Sequence, residues 1–284
     1  MFGGRVKLGI TTFVTDNTVD VVALARAVEE RGFASLYLAE HTHIPASRLT
    51  PAPTGEAELG EAYSHLVDPL VALAAAAAVT GTITLGTGVA LVAQHAPIVM
   101  AKQVSTLDAI SDGRFVLGVG FGWNREEMAS HGVEYATRRE VVREKVLTMK
   151  ALWRDDEASF HGAHVNLNPS WQWPKPTRRD VPVLIGGAAG PKLFAAICDY
   201  ADGWIPIGGA GLSKALPELR AQFDAAGRDP AVLRCVPFGT IPDPGKLAHY
   251  AELGIEEVVL RVGEGSASDV MRRLDRAAEV LPTP

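Results

Sequence analysis

Short runs of apolar residues alternate along the chain with segments whose apolar residues recur every three or four positions. Runs such as Ile83–Val92 and Arg114–Gly122 are apolar without alternation, which predicts strands buried on both faces. Val21, Leu24, Ala25 and Val28 follow the helical spacing i, i+3, i+4, i+7, after the candidate caps Asp16, Asn17 and Thr18 and before the stop at Gly32. The pattern therefore predicts strands and helices that alternate along the chain.

The pattern predicts eight strands and eight helices. The predicted strands are Val6–Phe13, Ser35–His41, Ile83–Val92, Arg114–Gly122, Val181–Gly187, Gly203–Gly209, Leu233–Gly239 and Glu256–Val262. After the first helix, the predicted helices are Asp68–Val79, Ala96–Ile110, a pair at Asn124–Ser130 and Arg138–Trp153, one after Pro191, Leu212–Ala226, Pro244–Leu253 and Asp269–Val280. Thr42–Val67 and Asp155–Asp180 are long connections.

Parallel strands whose crossover helices cover the outer face close, at eight repeats, as a (β/α)8 TIM barrel. We expect an α/β fold with residues 1–284 in a single domain with insertions. A doubly wound sheet is the alternative, but Trp123 interrupts any match of Gly118, Gly120 and Gly122 to the dinucleotide-binding fingerprint.

Composition and charge exclude several classes of protein. The net charge of −6 comes from interspersed acids and bases, which argues against nucleic-acid or anionic-membrane binding. The two cysteines and an N-terminus without a signal-peptide pattern suit a cytoplasmic protein. Residues 69–93 carry no charge, but Thr80-Gly81-Thr82 interrupts them, so a buried helix leading into a buried strand is favoured over a membrane span.

Glycines collect at the predicted strand ends, where barrel enzymes hold their chemistry. Gly118, Gly120 and Gly122 fall on one face and leave a wall without side chains, which suits a planar ring. The alternative is that small residues fit a crowded interior or form bulges. Gly88 and the pair Gly208-Gly209 extend the feature to neighbouring strands.

The segment Gly187-Ala188-Ala189-Gly190-Pro191-Lys192 predicts an anion site. Proline is preset for the first helical position, and free N–H groups at a helix start bind phosphate. Lys192 in the first turn opposes the helix dipole unless an anion is shared. The alternative is a solvated lysine at an ordinary corner.

Glu40-His41-Thr42-His43 at the end of the second strand resembles a zinc-ligand pattern, but later ligands are missing at the other strand ends. We therefore expect no metal, and proton handling by His41 and Glu40 instead, with a surface ion pair as the alternative. His161-Gly-Ala-His164 predicts a turn. No serine or cysteine nucleophile motif is present, so the chemistry is expected to lie in a bound cofactor.

The sequence resembles the luciferase-like monooxygenase superfamily, in particular its branch that uses the deazaflavin coenzyme F420. The resemblance runs through Glu40-His41, Leu85–Val89, Ala101–Gln103, Thr106–Asp108, Ile110–Arg114, Phe115–Asn124, Gly186-Gly187 and Asp202-Gly203. It implies a barrel that binds F420, or FMN in sister groups, and passes hydride to or from a small substrate.

The resemblance also implies roles for single residues. It places a non-prolyl cis peptide at Gly88-Val89 under the ring, makes His41 a proton donor or ring neighbour and Glu40 an acid at the ring edge, and gives the loop before Lys192 to the ribityl phosphate. A glutamate that is catalytic in some relatives is Trp123 here, so that role does not transfer; Trp123 either walls the substrate pocket or packs the next helix. The candidate cofactor-binding residues are Glu40, His41, Gly88, Val89, Gly120, Gly122, Trp123, Asn124, Gly187, Ala188, Ala189, Gly190, Lys192, Gly208 and Gly209.

Three functions remain open at this point. The first is an F420-dependent oxidoreductase, with His41 and Glu40 as catalytic residues and a homodimer implied by the resemblance. The second is an FMN-dependent monooxygenase that receives reduced flavin from a partner reductase. The third is a cofactor-binding or storage protein on the same scaffold. The connections Thr42–Val67 and Phe121–Arg138 are expected to cover the pocket, and Asp155–Asp180 to be structural.

Overall fold

The computed structural model describes residues 6–52 and 58–281, over which strands and helices alternate. The strands are β1 (Lys7–Thr11), β2 (Ser35–Leu38), β3 (Thr84–Thr87), β4 (Phe115–Val119), β5 (Ala158–His161), β6 (Asn166–Ser170), β7 (Val183–Gly186), β8 (Gly203–Ile205), β9 (Arg234–Cys235), β10 (Phe238–Thr240) and β11 (Glu257–Arg261). The α-helices are α1 (Val21–Glu30), α2 (Ala62–His65), α3 (Pro69–Ala77), α4 (Pro97–Ile110), α5 (Arg125–Ser130), α6 (Arg138–Arg154), α7 (Pro191–Tyr200), α8 (Leu212–Ala225), α9 (Pro244–Glu252) and α10 (Ala267–Ala278).

Nine strands form one parallel sheet in the order β10-β11-β1-β2-β3-β4-β7-β8-β9, and the sheet is curled. Its two outermost strands, β9 and β10, are consecutive in the chain. Near them, the Phe238 amide donates to the Pro206 carbonyl at 2.8 Å, and Ile207 forms a parallel bridge with Phe238. The protein thus has an α/β fold of the TIM-barrel type, with all sheet strands ending on one face, the carboxyl face.

Side chains of each strand point alternately into two apolar layers. Tyr37, Val116 and Leu184 lie in the inner layer enclosed by the sheet. Their neighbours Leu36 and Leu117 point outward into the layer between the sheet and the helices. Both faces of the sheet are therefore covered, which explains why the strands read as unbroken apolar runs.

Two local predictions from the sequence are wrong, and one hairpin was not predicted. The seventh predicted strand, Leu233–Gly239, is split into β9 and β10, because Pro237 has no N–H to donate and the pairing of β10 with β11 shifts register at Gly239, whose φ is 71°. Helix α1 is capped by Asp20, whose carboxylate accepts from the Ala23 amide at 2.9 Å, and not by Asp16, Asn17 or Thr18. The overlooked signal for the antiparallel hairpin β5–β6 was apolar alternation on both sides of the turn, at Ala158 and Phe160 before it and at Val165 and Leu167 after it.

The turn of that hairpin confirms the prediction for His161–His164. The carboxylate of Glu144 on α6 accepts hydrogen bonds from the amides of Ala163, His164 and Val165 at 2.7–2.9 Å. These bonds fix the hairpin on α6 and lower the pKa of Glu144 although burial of the carboxyl acts to raise it.

The uncharged stretch from residue 69 to 93 contains helix α3 followed by strand β3, as predicted. Within the ranges 6–52 and 58–281, no helix combines the length and the hydropathy that crossing a bilayer requires.

Candidate active site at the carboxyl face

His41 lies just beyond the end of β2 and is held by a carboxylate that the sequence analysis missed. Its Nδ1 is 2.8 Å from Oε2 of Glu127, and the side chains of His41 and Glu127 are only 8% and 1% exposed. Glu127 comes from α5, 86 residues away in the chain. The motif Asn124-x-x-Glu127 is a helix-start signal, and nothing in it indicates a contact with His41.

Aromatic side chains surround His41. Its ring centroid is 5.6 Å from that of Trp123 and 5.5 Å from that of Tyr63, and Phe13 packs edge-on against Tyr63 at 5.0 Å. The Arg48 guanidinium lies 5.9 Å from the centre of the Trp123 ring. Residues from the connections after β1, β2 and β4 therefore meet at one place on the carboxyl face.

Glu40 is buried next to His41, and both of its carboxylate oxygens are engaged. Oε2 accepts from the Leu91 amide at 2.5 Å, and Oε1 is 2.6 Å from Nε2 of His95. Burial acts to lower the pKa of His95, but the hydrogen bond and charge of Glu40 outweigh it and raise the pKa. Glu40 thus fixes the segment after β3. Its contact with the edge of a cofactor ring stays a prediction.

The peptide bond Gly88-Val89 at the end of β3 is cis, as the resemblance implied. A side chain on Gly88 would overlap the ring of Phe238. Val89 itself packs against the inner apolar layer.

The space beside the glycines of β4 is filled by the protein, so the predicted wall without side chains is wrong. A Cβ on Gly120 would lie 2.5 Å from Val89 Cγ2, and one on Gly122 would lie 2.6 Å from Met128 Cε. A Cβ on Gly118 would overlap the Thr87 carbonyl. Close packing explains these glycines, as the alternative held, and their contact with a cofactor rests on the resemblance alone.

Asn124 caps α5. Its Oδ1 accepts from the Glu127 amide at 3.3 Å, and its buried Nδ2 and Glu127 Oε1 have no hydrogen-bond partner among residues 6–52 and 58–281. Buried polar atoms are usually paired, so these two atoms can each take a partner, such as a water or a ligand group.

The predicted anion loop ends at the start of α7, where Pro191 takes the first helical position and Gly190 is the N-cap without a side-chain hydrogen bond. Ala189, Gly190 and Pro191 line a cavity of about 280 Å³ together with Gly211, Lys214, Ala215 and other residues of α7 and α8. Lys192 lies in the first turn of α7. Ala188 and Gly187 connect this loop to β7, and the Gly187 carbonyl accepts from Trp204 Nε1 at 2.8 Å.

Gly208 and Gly209 follow β8 with φ values of 69° and 77°, which L-residues with side chains rarely adopt. The Gly208 amide donates to the Phe238 carbonyl, and a side chain on Gly209 would overlap the Tyr250 hydroxyl. This turn leads to Gly211, the left-handed N-cap of α8.

Comparisons with known proteins agree with this geometry. The family model described as luciferase-like monooxygenase matches residues 1–242. An uncharacterised protein of Mycobacterium tuberculosis is 42% identical over 276 residues, 96% of this chain and 98% of its own length. The F420-dependent hydroxymycolic acid dehydrogenase of the same organism is 28% identical over 257 residues, 88% of this chain and 66% of its own length.

Among solved structures, an F420-dependent secondary alcohol dehydrogenase in complex with an F420-acetone adduct superposes with a TM-score of 0.74 at 18% identity, over 98% of both chains. At that identity the likeness shows the fold. The family match covers most of the chain, and the chain therefore belongs to the luciferase-like monooxygenase family.

Proposed function

We propose that this protein is an F420-dependent oxidoreductase that transfers hydride between the deazaflavin ring and a small organic substrate. The sheet is proposed to close as a complete (β/α)8 barrel in one domain, with β9 and β10 as two halves of one strand. The observation that carries the proposal is a cavity at the starts of α7 and α8, on the same carboxyl face as His41. Relatives described as F420-dependent dehydrogenases support it.

The cavity has the properties of a phosphate site. Neither Gly190 nor Gly211 caps its helix with a side chain, so the first amides of α7 and α8 stay free for a ligand. Helices α2, α4 and α6 also have no side-chain cap, but they do not line this cavity. Lys192 and Lys214 lie in the first turns, which hold no acidic residue; Glu218 lines the cavity further along α8. Free N–H groups at two helix N-termini and the Lys214 cation in the cavity wall favour a bound anion, and Lys192 adds a second cation in the first turn of α7.

These residues fit the phosphorylated tail of F420 or FMN, with Lys192 and Lys214 as charge partners. F420 supplies a carbon centre that accepts or donates hydride when it is bound. When a substrate C–H bond gives up a hydride and the adjacent O–H or N–H a proton, His41 takes the proton; in the reductive direction it returns it. Trp123 and Tyr63 exclude water beside His41.

The first test is an absorbance titration of the purified protein with F420 and with FMN. We expect saturable binding of F420, and binding weaker by about tenfold or more in the Lys192→Glu/Lys214→Glu variant, since each charge-assisted contact contributes on the order of 1.5–3 kcal/mol. Lys246→Glu, in the first turn of α9, is the matched control and should bind as the wild type does. Equal affinities in all three proteins contradict the phosphate site.

The second test is single-turnover reoxidation or reduction of bound F420 by His41→Ala. Loss of a proton-transfer group should slow the step roughly 10²–10⁴-fold while the dissociation constant of F420 stays within a factor of about two. His161→Ala, at the exposed hairpin turn, is the control. An unchanged rate removes His41 from the mechanism. F420 that binds but is never turned over by the wild type, beside a pocket closed to substrate, would instead identify a cofactor-binding or storage protein.

An FMN-dependent monooxygenase with a partner reductase is the second candidate. The observation that favours it is the family itself, described as luciferase-like monooxygenase. The cavity that we propose as the phosphate site suits the phosphate of either cofactor. Tight FMN binding without F420 binding, and oxygen consumption with externally reduced FMN, identify this function.

A further inference from the structure

The carboxylate of Glu127 contacts His41 at a buried position, where an ionised group costs free energy. Its side chain is 1% exposed, and one carboxylate oxygen makes the 2.8 Å contact to His41 Nδ1. A surface acid in the first turn of a helix needs no such contact, because the helix dipole and water stabilise it. Burial removes the water, so the position of Glu127 calls for another explanation.

Its neighbour Glu126 shows what the ordinary structural role looks like. Glu126 accepts from the amides of Leu49 and Thr50 and from the Thr50 hydroxyl, and so fastens the connection after β2 to α5. This fastening is complete without Glu127. Both carboxylates of this helical turn therefore contact the connection after β2. Glu126 binds backbone amides and a hydroxyl, whereas Glu127 contacts the imidazole of His41.

The contact settles which nitrogen of neutral His41 carries the proton. A carboxylate only accepts hydrogen bonds, so with Glu127 ionised Nδ1 must be the donor and Nε2 keeps its lone pair. Nε2 has no hydrogen-bond partner in the ranges 6–52 and 58–281. It is the nitrogen available to a substrate.

We infer that Glu127 is a positioning residue that keeps the proton of neutral His41 on Nδ1 and leaves Nε2 as the atom that exchanges a proton with the substrate. This inference rests on the proposed function for its catalytic consequence, but the tautomer itself is a property of the protein without cofactor.

Other titratable groups lie near the pair, and Glu126 among them serves as the control in the test. They are Glu126 and His131 around α5, Arg48 and His43 in the connection after β2, Glu40 and His95 beneath it, and the Tyr63 hydroxyl on α2. The imidazoles of His131 and His43 share one partner, because Thr42 Oγ1 lies 2.8 Å from His131 Nε2 and 3.0 Å from His43 Nδ1.

The test is two-bond ¹H–¹⁵N correlation NMR of protein labelled at its eight histidines, with His41 assigned by comparison with His41→Ala. In the wild type at alkaline pH, where imidazoles are neutral, we expect protonated Nδ1 and unprotonated Nε2 at His41. In Glu127→Leu, which removes the acceptor, we expect the proton to move to Nε2 in most molecules. Glu126→Gln should keep the wild-type pattern.

Glu127→Gln keeps the shape of the side chain and serves if the leucine variant does not fold, as judged by circular dichroism. Its amide either accepts from or donates to Nδ1, so we expect both tautomers. With F420 and substrate, its kcat should fall roughly 10–100-fold, the usual effect of losing a partner that orients a functional histidine, with KM changed less than threefold.

A folded Glu127→Leu or Glu127→Gln variant whose His41 signals match the wild type overturns the inference. If the tautomers shift as expected but F420 does not bind to the wild type, the proposed function fails and the pairing of His41 with Glu127 stands.

Discussion

Glu126 and Glu127 are adjacent in the chain, yet their surroundings give them different properties. Glu126 lies at the edge of the connection after β2, where the Thr50 hydroxyl and then the Leu49 amide lower its pKa to about 2. Since the folded-state pKa lies below the ordinary value of a glutamate, ionised Glu126 stabilises the fold above about pH 4.5, and this stabilisation is lost as the pH falls toward 2.

The pH dependence predicts the behaviour of Glu126→Gln. The free energy of unfolding, measured by urea titration, should be lower in the variant than in the wild type at pH 7, and the difference should narrow at pH 4 as the unfolded-state glutamate takes up protons. A difference that stays constant from pH 7 to pH 4 contradicts the assignment of this pKa to the folded state.

Single residues show where sequence reasoning ends. His41 was found because a polar cluster after a predicted strand is visible locally, and the cis bond at Gly88-Val89 because the surrounding motif resembles a family. Glu127 was missed because its contact spans 86 positions of the chain. The role of Gly120 was misread because sequence shows a missing side chain but not the Val89 methyl that occupies its space.

At the scale of elements, Arg114 joins three of them at the start of β4. Its guanidinium donates to the carbonyl of Ala77 at the end of α3 and to that of Thr80 just after it. It also donates to the Ile83 carbonyl before β3 and, through Nε, to the Ser111 carbonyl after α4. A helix end leaves carbonyls without partners, and one planar cation here satisfies several of them.

Replacing Arg114 should therefore destabilise the fold. We expect Arg114→Ala to lower the free energy of unfolding by roughly 1–3 kcal/mol, and Arg114→Lys to recover only part of the loss because an ammonium group does not reach the carbonyls as a fork. Arg178→Ala, at an exposed position of the turn before β7, should change it by less than about 0.5 kcal/mol. Equal effects at both positions contradict the bridging role.

The order and type of the main elements were predictable, because strands buried on both faces and helices with one apolar face have different periods. The ends of the elements were less predictable. The third predicted strand, Ile83–Val92, extends five residues beyond the end of β3. Those residues contain the cis bond and the Leu91 amide bound to Glu40, whose conformation is set by tertiary contacts rather than by local apolar pattern.

At the scale of the whole molecule, apolar side chains are exposed along one side. Val71 on α3 is 69% exposed and Val99 on the neighbouring α4 57%, and exposed Trp173 lies next to α4, since its carbonyl accepts from Lys102. Exposed apolar strips of this kind are typical of protein interfaces. We propose that the protein is a homodimer, as the family resemblance implies, and that the two subunits meet through this strip.

Two charges on the strip should therefore separate the subunits. We expect the wild type to be a dimer by sedimentation equilibrium and Val71→Glu/Val99→Glu to be a monomer with an unchanged circular dichroism spectrum. Val232→Glu, equally exposed at 63% but ahead of β9, is the control. A monomeric wild type, or a double variant that remains dimeric, contradicts the proposal.

The packing of Val89 has an evolutionary consequence. One of its methyl groups takes the place of a side chain at Gly120, and the other crowds Gly186, where a Cβ would lie 2.9 Å away. Homologous chains that carry alanine or glycine at position 89 are free to lose these two glycines, while chains that keep a branched residue there must retain them. The three positions lie at the carboxyl ends of β3, β4 and β7, which are separate in the chain. They should thus have changed together during divergence.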